Sequence, residues 1–98
     1  MVGGCNTSGV QTATKVIVNG SRTRLQSVRV SATGNTAGSI SVYDSGTATT
    51  SSKKLLVKMF VGAEATAHNY EFDMHGAIAL EGIYVVVTGT VNYSIEYF

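Results

Sequence analysis

The closing stretch GIYVVVTGTVNYSIEYF, residues 82–98, sets the strongest limit on how this chain can fold. In 91–97, Val91, Tyr93, Ile95 and Tyr97 alternate with Asn92, Ser94 and Glu96. That is the period-two pattern of a strand with one face in a core and one in water. In 83–87 every residue is apolar, so both faces of that strand need cover. An odd loop keeps the odd residues of both segments on one face. The loop Thr88-Gly89-Thr90 predicts a hairpin with Val87 opposite Val91, Val85 opposite Tyr93 and Ile83 opposite Ile95. A two-residue loop would set Val85 against Asn92 and wet the core, whereas a five-residue loop keeps the same parity.

The rest of the chain repeats the theme of short β-branched runs between turn clusters. KVIV (15–18) is followed by Asn19-Gly20, a hairpin signal. In 22–32, Val28 and Val30 share a face while Leu25 is out of phase, which predicts a bulge near Gln26–Ser27. Residues 39–44 alternate with Ile40 and Val42 inward, between loops at 33–38 and 45–53. Residues 54–61 are apolar on both faces, and 62–66 form a turn. In 67–75, His68, Tyr70, Phe72 and Met74 occupy one face and Asn69, Glu71, Asp73 and His75 the other. A short strand or turn over 76–82 leads into the final pair. No segment sustains an i, i+3, i+4 apolar pattern, and there is no proline to remove a strand N–H. Strands recurring every 8–12 residues or so predict an all-β chain. The expected fold is a small antiparallel β-sandwich or jelly-roll-like domain of seven or eight strands over 15–98, preceded by a flexible arm at 1–14.

Only 13% of the residues are charged, with a net charge of +1 and 44% hydrophobic. A surface this poor in charge tends to associate. The near-neutral balance provides no field to draw in nucleic acid or anionic lipid, and neither is expected as a partner. No run approaches the roughly 18 apolar residues of a membrane-spanning helix. MVGGCNTSG has no basic or apolar signal-peptide region, and the lone Cys5 cannot form an internal disulfide. On the outer sides of their strands, Tyr84 and Val86 point away from the first core. So do Leu56 and Phe60, if the odd side of 54–61 faces inward. Either a long loop covers these four, or they form a subunit interface, where Tyr and Phe concentrate.

Few residues of this chain offer chemistry. Cys5 has no basic neighbour to lower its pKa, no G-x-S-x-G elbow exists, and GNTAG and GGCNTSG lack the lysine and strand-to-helix context of a phosphate loop. Glu71, Asp73 and His75 could ligate a metal across a symmetry axis, but the favoured reading is an acidic stripe meeting a neighbouring Arg or Lys. His68 reads as a half-buried packing residue. Arg22, Arg24 and Arg29 form a row too small for nucleic acid. Lys53, Lys54 and Lys58 read as solubilising or edge-protecting residues. No catalytic residue, cofactor or enzymatic activity is expected.

SISVYDSGTATTSSKKLL and then YEFDMHGAIALEGIYVVVTGTVNYSIEYF resemble a group of small β-sandwich virion proteins of tailed bacteriophages. In that group a strand ending V-Y-D enters a Ser/Thr-rich loop. Later an aromatic strand turns into G-I/L-Y-V-x-V-T-G-T, and the chain ends close to V-x-Y. The match falls at Ser39–Asp44 and Gly82–Phe98 within 25–98, whereas the arm and MHGAIALE depart from the pattern. The resemblance implies a non-enzymatic structural role in the virion, assembled in the host cytoplasm, and a capsid decoration (cement) protein above all. It implies a homo-oligomer, a trimer for preference, bound to the major capsid protein or other virion proteins. Leu56, Phe60, Tyr84 and Val86 are then the self-association candidates. Val2, Cys5 and Val10 of segment 1–14 are the lattice-contact candidates. A tail-tip or receptor-binding virion protein and a carbohydrate-binding sandwich are the alternatives.

Overall fold

The computed structural model describes residues 6–32, 37–62 and 69–98. Eight strands account for most of them: β1 (Asn6–Thr7), β2 (Lys15–Asn19), β3 (Thr23–Ala32), β4 (Gly38–Asp44), β5 (Lys54–Val61), β6 (Asn69–Ala79), β7 (Gly82–Gly89) and β8 (Val91–Tyr97). No helix occurs among the described residues. The strands form two four-stranded antiparallel sheets, β1-β8-β3-β6 (sheet A) and β2-β7-β4-β5 (sheet B). β1 pairs with β8, β2 with β7, β3 with β6 and β4 with β5, so the pairing is nested from the outside of the chain inward. A nested ribbon of this kind, folded over into two sheets, is the jelly-roll arrangement of a β-sandwich.

The core lies between the sheets. Leu25, Val28 and Val30 of β3 and Val91, Tyr93 and Ile95 of β8 come from sheet A. Ile40 and Val42 of β4 and Ile83 and Val85 of β7 meet them from sheet B. The alternation that places Ile40 and Val42 inward is therefore realised, and the odd residues of both terminal strands do point into the core. The bulge near Gln26–Ser27 is also present. Pairing of β3 with both neighbours slips between Leu25 and Ser27, which lets Leu25 and Val28 reach the same interior.

The terminal hairpin does not form. β7 lies in sheet B between β2 and β4, and β8 lies in sheet A between β1 and β3, so Val85 is opposite Val42 and Tyr93 is opposite Val30. Parity decides only which face a residue takes. Two strands that face one core from opposite sheets satisfy it as well as two that share a ladder. The chain changes sheet at Gly89, which has φ 79°, and a Cβ there would lie 2.4 Å from the Ala37 carbonyl oxygen. Asn19-Gly20 is likewise a corner between sheets and not a hairpin, because β2 pairs with β7 and β3 with β6 and β8.

The segment expected to be an arm belongs to the sandwich from Asn6 onward. Asn6 and Thr7 pair with Tyr97 and Glu96, and the Ser8 amide donates to the Ile95 carbonyl. Gln11 exchanges two backbone hydrogen bonds with Tyr93, and the Tyr93 hydroxyl donates to the Ala13 carbonyl at 2.6 Å. Thr14 Oγ1 then accepts from the Val87 amide in the other sheet. Without this segment β8 would present open N–H and C=O groups, and small polar residues are well suited to fill them.

Candidate functional site

Two surfaces stand out. The first is the flank where the outermost strands β5 and β6 run. Antiparallel partners share a face, so Phe72 opposite Val28 and Tyr70 opposite Val30 point toward the interior. Yet Phe72 is 50% exposed and Tyr70 38%, while Val28 and Val30 are buried. On β5, Val57 and Met59 are only partly buried. The sandwich is open along this side, and interior-facing apolar groups meet water there.

The second is a shallow cleft of about 620 Å³ on the outer face of sheet A. Its polar lining includes Arg29, Ser31, Glu71, Asn92 and Ser94, with Val10 at its margin. Arg29 Nε bonds Glu71 Oε2 at 2.8 Å, and its Nη2 lies 3.6 Å from Glu96 Oε1. Ser27 Oγ donates to the same Glu96 oxygen at 2.5 Å. These contacts hold the guanidinium over the sheet between hydroxyl and amide groups. The cleft can offer hydrogen bonds to a polar ligand.

The acidic stripe at 71–75 does not act as one row. Glu71 meets Arg29 across the ladder. Asp73 Oδ1 accepts from the His75 amide at 2.8 Å. His75 and Gly76, with φ 53° and 75°, bulge out of β6 between Asp73, opposite Ser27, and Ala77, opposite Leu25. Among the described residues no group of three His, Cys, Asp or Glu side chains could hold a metal ion. His68 lies outside the described residues.

The four self-association candidates separate. Phe60 is 74% exposed on the outer face of sheet B, with Lys58 Nζ 5.1 Å from its ring centre. Tyr84 is on that face too, opposite Val16 and Tyr43, but its own neighbours cover it to 9% exposure. Val86, opposite Ser41, is half-buried. Leu56 departs from the expected direction. Pairing of β4 with β5 passes from Val42–Val57 to Tyr43–Leu55, so Leu56 is the extra residue of a bulge and packs against the core. Leu55 takes the exposed place instead. Of the lattice-contact candidates, Val10 is 76% exposed, and Val2 and Cys5 lie outside the described residues.

Sequence reasoning missed two features. Asp44 accepts from the Leu80 and Glu81 amides at 3.0 and 2.8 Å, clasping the β6–β7 turn to the end of β4. Lys53 reinforces the clasp through Glu81 at 2.5 Å. The cleft was foreshadowed only by the wet face Asn92, Ser94 and Glu96 of the last strand. Comparison with protein-family models, with curated proteins and with solved structures found no match.

Proposed function

We propose that this chain is a structural protein of a bacteriophage particle, a capsid decoration subunit that self-associates and seats on the capsid lattice. One observation carries the reading: the sandwich leaves large apolar side chains exposed to water, among them Phe60, Phe72, Leu80 and Val10, in a chain with only 13% charged residues. Apolar surface of that kind marks contact with other protein. The resemblance at Ser39–Asp44 and Gly82–Phe98 supplies the particle, and nothing in the cleft argues for catalysis. Repetition on a lattice gives avidity without a large interface per copy.

The test is binding to particles. Purified protein added to capsids lacking it should co-sediment saturably, and labelled protein should decorate the shell in negative stain. Absence of binding would overturn the assignment, and label confined to the tail tip would replace it with receptor binding. The polar cleft favours a second reading, a carbohydrate-binding module, in which sugar hydroxyls engage Arg29, Asn92 and Ser94. A glycan array that lights up and is silenced by Asn92→Ala would establish that reading in place of the first.

A further inference from the structure

The open flank has a specific occupant. β5 and β6 are the end strands of sheets B and A, and among the described residues each has one side with no strand bonded to it. β5 packs across from β3, and β4 across from β8, so the two free edges lie on the same flank of the sandwich. Followed through the antiparallel ladders and the β7–β8 corner, β5 and β6 run in opposite senses. An edge strand with open N–H and C=O groups beside exposed apolar side chains is a template for another strand.

The charges on the two edges differ in sign. β5 carries Lys54 and Lys58, and β6 carries Glu71 and Asp73. β6 against a second β6 would oppose carboxylates, and β5 against a second β5 would oppose ammonium groups, both unfavourable arrangements. β5 against β6 opposes unlike charges. We propose that a second copy of this chain covers the flank, related by a twofold axis parallel to the strands. β6 of each copy then extends sheet A with β5 of the other, antiparallel.

A rotation of this kind exchanges the layers and satisfies both free edges at once. It closes at two copies, because both edges lie on one flank; a head-to-tail ring would need them on opposite flanks. One register matches the faces of residues 70–72 with those of 57–59. Phe72 stands beside Val57 of the second copy, Tyr70 beside Met59, and Glu71 beside Lys58. The first two pairs close the open interior of each sandwich, and the third lies on the outer face. Glu71 is about half exposed beside Arg29, which leaves its carboxylate room for a second cation. The pairing deepens the self-associating part of the reading above and replaces the trimer preference with a dimer.

Size-exclusion chromatography with light scattering at micromolar concentration should give about twice the 10.3 kDa of one chain. Lys58→Glu should reduce the mass to that of one chain while the β circular dichroism spectrum is retained. Lys58→Glu combined with Glu71→Lys should restore the dimer. In a chain with Cys5→Ser, the double variant Lys58→Cys/Glu71→Cys should form a covalent dimer under copper–phenanthroline oxidation. Those two positions lie on the outer faces of opposite sheets, so they cannot close within one chain. A monomer or trimer mass for the native chain, a Lys58→Glu variant that stays dimeric, or no cross-link would overturn the proposal. A monomer that still decorates capsids would overturn the pairing alone, and a dimer that ignores capsids would overturn the particle assignment alone.

Discussion

Replacing Tyr93 with Phe tests the join between the N-terminal segment and the core. The Tyr93 ring is buried, and its hydroxyl donates to the Ala13 carbonyl at 2.6 Å. Removing the hydroxyl leaves that carbonyl without this donor and should cost about 1 kcal/mol at neutral pH. Burial also pushes the phenol from its ordinary 10.0 up to about 12. A folded-state value above the unfolded one gives stability that is fully present below about pH 10. It is lost as pH rises toward 12, because the unfolded chain releases the proton first. One pH unit above the unfolded value the loss is about 1.4 kcal/mol, and the Phe variant does not suffer it. The two proteins differ only at this hydroxyl, so every other contribution is common to both and drops out of the difference. Urea unfolding of both proteins from pH 7 to 12 should show the variant weaker at pH 7, equal between roughly pH 10.5 and 11, and stronger above. Curves that stay parallel across the whole range would refute the buried phenol, and no deficit at pH 7 would refute the bond to Ala13.

Gly82→Ala should destabilise strongly, by about 2–5 kcal/mol, since φ is 144° and a Cβ would sit 2.2 Å from the Val18 carbonyl oxygen; thermal unfolding reads it. Asp44→Asn keeps the shape but puts an NH₂ where one of two backbone amides now finds an acceptor, and it should cost about 1–3 kcal/mol by urea unfolding. Ile95→Ala, at a fully buried site, should cost about 2–5 kcal/mol in the same assay. Arg29→Ala should change stability by less than about 1 kcal/mol, because its partner Glu71 is half exposed and the pair is screened by solvent.

Local pattern made much of this fold legible. Alternation identified Ile40, Val42, Tyr93 and Ile95 as interior, and the phase break between Leu25 and Val28 located a bulge. Pairing was not legible, because period two reports a face and is blind to which strand lies alongside. Hence Val85 and Tyr93 were given to one ladder, although they face the core from different sheets. The bulge at Leu56 was hidden because β5 is apolar on both sides, so a phase slip leaves no trace in KLLVKMFV. The polar segment 6–14 carried no alternation at all. Its structure comes from backbone and hydroxyl bonds to a strand more than 80 residues away, such as Ser8 with Ile95. The open flank shows only in three dimensions, where Phe72 looks inward and still meets water.

The nested pairing also dictates a timetable. β8 sits between β1 and β3, and Phe98 closes the arrangement through its amide to the Arg24 carbonyl and its own carbonyl to the Thr23 hydroxyl. β8 is the last of the eight strands to leave the ribosome. Until then β1 has no partner and β3 only β6, while every strand of sheet B has already emerged. Closing ladders between the two ends of a polypeptide is slow, on the order of milliseconds to seconds for β topologies. A nascent copy therefore spends that interval with half of its sandwich waiting, exposed to other copies made beside it.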